Sequence, residues 1–115
     1  MPSSQEDRER FAPLFGWTGT SGNWLPPFEL IHRYKQDMIH GTICVRELPD
    51  FCDIREPYFG PACEKLSLSG WFLAWDDGQF IWRQSFVREP MLIGDPDLGR
   101  CTMLALEAQE RMKKC

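Results

Sequence analysis

The segment from Leu66 to Arg88 constrains the fold more than any other, because it alternates strictly and carries a turn at its centre. Leu66, Leu68, Phe72 and Ala74 alternate with Ser67, Ser69, Trp71, Leu73 and Trp75. Beyond Asp76-Asp77-Gly78, Phe80, Trp82 and Phe86 alternate with Ile81, Arg83, Ser85 and Val87. A period of two sends successive side chains to opposite faces of a strand. Asp and Gly both accept positive φ, so the central triplet predicts a turn and the whole segment a β-hairpin over 66–88. The adjacent carboxylates of Asp76 and Asp77 are then turn chemistry, not an acid–base pair.

Two registers fit this hairpin. A two-residue Asp77-Gly78 turn pairs Trp75 with Phe80 and Leu73 with Trp82. A three-residue loop with a glycine bulge pairs Ala74 with Phe80, Phe72 with Trp82 and Leu68 with Phe86. A slip of one residue exchanges the faces, so the choice decides what is core. The second register is preferred because it gathers Leu66, Leu68, Phe72, Phe80, Trp82 and Phe86 on one core face. It leaves Trp71, Leu73, Trp75, Ile81 and Arg83 on the other, with Trp71 across from Arg83 as a cation–π pair.

Two helices and one more strand complete the expected fold. Phe28, Leu30, Ile31, Tyr34 and Met38 recur at three- and four-residue spacing after Pro26-Pro27, and Gly41 follows, which predicts a helix over 27–40. Ile43 and Val45 alternate with Cys44 and Arg46 in a strand over 42–48 that Pro49 ends. Residues 49–65 read as an acidic, proline-containing loop with room for a short helix at 50–55. Leu98, Cys101, Leu104, Ala105, Ala108 and Met112 form the stripe of a helix over 97–113, capped by Asp95 or Asp97. The fold class is therefore α+β: a small antiparallel sheet built on the 66–88 hairpin plus strand 42–48, packed by the helices 27–40 and 97–113. Residues 1–23 read as an N-terminal arm and 24–115 as a single domain. Phe11, Phe15 and Trp17 in the arm either cover the domain or fold onto a partner.

Composition removes several functions. The 115 residues carry 13 Lys+Arg against 17 Asp+Glu, a formal charge of −4, with no basic block, so direct nucleic-acid binding is not expected. No apolar run approaches the roughly 20 residues of a membrane helix, so no membrane span is expected. The polar first ten residues give no secretory signal. The five cysteines, Cys44, Cys52, Cys63, Cys101 and Cys115, are odd in number, and together these points favour reduced thiols and a cytoplasmic location.

No catalytic motif emerges. Cys44 and His40 are the only near thiol–imidazole pair, and Glu29 with His32 is a lone Glu-x-x-His lacking the partner copies such metal sites need. The chain is read as not an enzyme and without a cofactor. A zinc-stabilised adaptor using His40, Cys44, Cys52 and Cys63 is one alternative, although these ligands lack the short knuckle spacing of structural zinc sites. A small-ligand domain with a Trp/Met-lined pocket is another.

Aromatic excess supplies the leading expectation. Five Trp in so small a chain exceed what one core can hold with every indole N–H paired. Trp71, Trp75 and Arg83, with Leu73 and Ile81 beside them, therefore form the expected partner-binding face, Trp and Arg being typical interface anchors. The expected function is a small non-enzymatic binding protein that occupies a surface of a macromolecular protein partner, as phage, viral and mobile-element inhibitors or adaptors do; homodimerisation is its simplest form. The strings Leu25-Pro26-Pro27-Phe28-Glu29, Met38-Ile39-His40-Gly41 and Trp71-Phe72 with Asp77-Gly78 and Phe80-Ile81-Trp82 resemble short strings in adenoviral early-region adaptor proteins. Those proteins are much longer and richer in Cys and His, and no residue role is carried over.

Overall fold

A computed structural model describes residues 4–20, 23–30, 33, 38–39, 42–43, 45–85 and 91–114. The fold is α+β, and the chain divides into two compact units that meet in sequence at Pro49 and Asp50.

The first unit begins with helix α1 (Gln5–Phe11), within the segment whose sequence reads as an arm. Charge and capping produce this helix instead of apolar periodicity. The Ser4 hydroxyl accepts from the Asp7 amide at 3.2 Å, Glu6 and Asp7 sit in the first turn, and Arg8 and Arg10 sit in the last. This order complements the helix dipole at both ends. A 3-10 turn (Ala12–Phe15) follows and stops at Gly16, whose φ is 82°. Strands β1 (Thr18–Thr20) and β2 (Asn23–Leu25) form a hairpin, and Trp24 exchanges backbone bonds of 2.9 and 3.0 Å with Val45. Phe11, Ala12, Trp17, Trp24, Val45 and Leu48 are buried.

The expected helix over 27–40 is not what forms. Residues 28–30 make a 3-10 turn with Phe28 exposed, and β3 (Met38–Ile39) pairs with β4 (Thr42–Ile43). Arg33 is again in a 3-10 conformation, and residues 31–32, 34–37 and 40 lie outside the described residues. The expected strand 42–48 likewise shrinks to β4 and the Val45 bridge, and neither joins the Trp hairpin.

In the second unit the expected 49–65 loop contains helix α2 (Phe59–Leu68). Ala62 and Leu66, four residues apart, are its buried positions, and Pro61 is tolerated because first-turn amides need no intrahelical acceptor. Residues 66–68 therefore end a helix and do not begin a strand. Gly70, at φ 89°, turns the chain out of α2. Strands β5 (Trp71–Asp76), β6 (Gln79–Gln84) and β7 (Met91–Asp95) follow as an antiparallel sheet in that order. Helix α3 (Leu98–Lys114) lies on β6 and β7 and against α2, close to the expected 97–113. Asp97 caps it, accepting from the Arg100 amide at 3.1 Å, and Lys65 of α2 pairs with Glu110 of α3.

The hairpin adopts the two-residue register. Asp77 and Gly78 both have positive φ, 50° and 77°, which is the type I′ geometry that lets twisted strands close without a bulge. Trp75 therefore faces Phe80, Leu73 faces Trp82 and Phe72 faces Arg83. This overturns the preferred bulged register and, with it, the face assignment. The core is Leu66, Trp71, Trp82, Cys101 and Ala105, with Phe80, Ile93, Ala108 and Met112 packed around it. Phe72, expected in the core, is 62% exposed.

Candidate functional site

Directly paired residues share a face, so the register reads out both sides of the sheet. The inner side carries Trp71, Leu73, Trp75, Phe80, Trp82, Gln84 and Ile93. Two inner indoles are held by α3: Trp71 Nε1 donates to Gln109 Oε1 at 2.8 Å, and Trp82 Nε1 to Thr102 Oγ1 at 2.9 Å. Four of the five Trp are buried, two of them with these polar partners, so the aromatic excess is accommodated more fully than composition implied.

The outer side carries the row Phe72–Arg83–Leu92, followed by the row Ala74–Ile81–Gly94. Phe72 and Leu92 are 62% and 61% exposed, and Arg83 lies between them. Gln79 lies over Gly94, where a β-carbon would meet its side-chain amide at 3.0 Å. The first row thus sets two exposed apolar side chains on either side of a cation.

The residues singled out from sequence are divided by this geometry. Trp71 belongs to the core. Leu73 and Trp75 share its face but lie toward the uncovered hairpin end, where Trp75 is 60% exposed and meets Phe80 edge-on at 4.6 Å. Arg83 and Ile81 lie on the outer face, with Phe72 and Leu92 as neighbours. Phe72 was misassigned by the one-residue slip. Leu92 was missed because Met91-Leu92-Ile93 is too short to show a period.

A cleft of about 450 Å³ lies where Asp50, Cys52, Asp53 and Arg55 approach Asp97 and Gly99. Its carboxylates already have structural work. Asp50 accepts from the Cys52 amide at 3.1 Å, and Asp97 caps α3. Asp53 takes Arg55 in a bidentate pair at 3.0 and 2.9 Å, and these hydrogen bonds hold its pKa down to about 2. Cys52, Cys63 and Cys101 are not in disulfides, and burial raises the pKa values of Cys63 and Cys101, the latter to about 11. A nucleophilic thiol needs the opposite shift. His40 and Cys44 lie outside the described residues. Among the described residues no group of three His, Cys, Asp or Glu is placed to hold a metal ion, and no helix is long and apolar enough to cross a membrane. No family model matches the chain, and no curated protein or solved structure matches it.

Proposed function

We propose that the chain is a small non-enzymatic binding protein, of the accessory inhibitor or adaptor kind, whose outer sheet face docks onto a protein partner. The observation that carries this reading is the exposed row Phe72–Arg83–Leu92 on a sheet whose other face packs against α2 at β5 and against α3 at β6 and β7. An aromatic, an arginine and an aliphatic side chain in one cross-strand row supply an apolar anchor and a directional charge, Phe and Arg being enriched at interfaces. The test compares parent and Phe72→Ser/Leu92→Ser chains as baits for native lysate. Both should give the same circular dichroism, and a protein retained by the parent should be lost by the variant, at about 30-fold weaker affinity or worse. Equal retention by both baits moves the binding surface elsewhere.

A second reading rests on a groove of about 440 Å³ lined by Met91, Ile93, Ala108, Arg111 and Met112. Its volume suits a small apolar ligand. It is methionine-lined but has no Trp among its described lining residues, and Arg111 is held at its edge by Glu107 at 3.0 Å. Saturable binding of an environment-sensitive apolar dye, abolished by Met112→Glu, distinguishes this reading from the first.

A further inference from the structure

We propose that strand β5 pairs antiparallel with β5 of a second copy of this chain, with Ala74 facing Ala74 across the twofold axis. This pairing uses the sheet edge and does not depend on the partner reading of the outer face.

The open edge is the first observation. Among the described residues β5 pairs with β6 on one side only, and every residue from Phe72 to Asp76 is exposed. Six consecutive pairs with β6 run without a bulge. The strand carries no proline and no Lys or Arg, the devices by which edge strands ordinarily avoid pairing. Its exposed side chains include Phe72, Leu73 and Trp75. An edge that is free of bulges and apolar from Trp71 to Trp75 is a template for another strand.

Hairpin geometry then fixes which backbone groups are offered. In a two-residue hairpin the pair flanking the turn is a hydrogen-bonded one, and the two kinds of pair alternate from there. Asp76, Ala74 and Phe72 thus bond inward to β6, whereas Leu73 and Trp75 direct N–H and C=O outward. A twofold axis normal to the sheet keeps faces matched, so paired residue numbers must sum to an even value. Two central registers satisfy this, Leu73 on Leu73 or Ala74 on Ala74.

Charge chooses between them. Among the described residues neither Arg83 nor Asp76 has an ion-pair partner. Centring on Ala74 sets Asp76 of the second copy beside Phe72, in the same outer row as Arg83 and about 10 Å from it between α-carbons, two strand spacings. An arginine can cross the Phe72 ring to a carboxylate over that span, twice per dimer. The same register lays Trp75 against Leu73 of the other copy, also twice. Centring on Leu73 instead places Ala74 in the Arg83 row and sends Trp75 toward the already buried Trp71. The Ala74 register also joins the two outer faces into one six-stranded surface bearing two Phe72–Arg83–Leu92 rows.

Sedimentation and cysteine cross-linking test the pairing. The parent should show a concentration-dependent dimer, and Leu73→Lys should weaken it at least 30-fold. Ala74→Cys should oxidise to a covalent dimer, since facing residues of a non-hydrogen-bonded pair have α-carbons close enough for a disulfide. The parent and Leu73→Cys should not, which controls for the native thiols. A parent that stays monomeric up to its solubility limit overturns the proposal. So does a dimer that survives Leu73→Lys without an Ala74→Cys link, or one that links through Leu73→Cys instead. Should Leu73→Lys fail to fold, the cross-linking pair alone decides. Leu92→Ser alone, on β7 and away from the β5 edge, reads the outer face separately, so either reading can fail without the other.

Discussion

Gly99, in the first turn of α3, sits so close to Cys52 that a β-carbon built on it would overlap the Cys52 carbonyl oxygen. Its φ is ordinary, so the glycine is there for space. The Cys52 backbone is itself fixed, its amide donating to Asp50 Oδ1, and Asp97 anchors the helix start from the other side. Neither wall is a flexible side chain. Gly99→Ala should therefore cost about 1–3 kcal/mol or more, as overpacking against rigid neighbours does. Thermal melting of Gly99→Ala against the parent checks this; an unchanged midpoint would mean that the turn at residues 50–53 yields freely.

Trp71 and Phe72 are chain neighbours with opposite fates. Trp71 is 2% exposed and bonded to Gln109, while Phe72 is 62% exposed on the outer face. Trp71→Ala removes a large core side chain and leaves the buried Gln109 amide without its partner, at about 3–5 kcal/mol, comparable with the whole stability of a small domain. Phe72→Ala should change stability by less than about 1 kcal/mol. Urea denaturation of the two variants gives the comparison. A larger loss for Phe72→Ala would restore the bulged register.

How much of this was readable in the sequence depends on where each signal was local. The α3 stripe and its Asp97 cap extend over many residues, and the structure reproduces them within a residue. The hairpin turn was equally legible, yet its register was not. Counting apolar residues per face favoured the bulge, because Leu66 and Leu68 were included as strand. They belong to α2, where Ala62 and Leu66 are paired by a four-residue spacing that the serine alternation disguised. With those two removed, the faces balance and turn chemistry decides. Helix α1 was missed for the opposite reason: its signal is the Ser4-x-x-Asp7 cap and ordered charge, with only Phe11 buried. Of the candidate row, Arg83 is named by the sequence alternation alone, but the Phe72–Leu92 bracket depends on long-range pairing with β7, which no local pattern encodes.

The turn offers a sharper test of that register. Gly78 has φ 77° and Asp77 φ 50°, and no neighbouring atom lies within 4 Å of a β-carbon at Gly78. Any penalty on substitution there is thus backbone strain and not a clash. Gly78→Val should cost about 1–3 kcal/mol, since a β-branched residue tolerates positive φ poorly. Asp77→Asn should be nearly neutral, because Asn enters the left-handed region with similar ease. A melting midpoint indifferent to Gly78→Val would remove the type I′ turn.

The Cys101 thiol sets an alkaline limit on stability. Its Sγ lies 3.2 Å from the Phe80 carbonyl oxygen and 3.3 Å from that of Ile93, at the junction of α3 with two strands. Burial pushes its pKa from about 9 to about 11, because a thiolate there loses its hydration. In the unfolded chain the thiol ionises first, so between these values the folded state holds a proton that the unfolded state has released. Stability is then complete below about pH 9 and falls as pH rises toward about 11, by on the order of 2 kcal/mol. Other groups titrate in the same range, so the measurement is the denaturation midpoint against pH for the parent and for Cys101→Ala. The variant should lack the part of the alkaline slope that belongs to Cys101. Coincident slopes would mean that the thiol ionises as easily in the fold as outside it. In the native chain the same burial should leave Cys101 unmodified by a thiol reagent at pH 8, with reaction following only on unfolding.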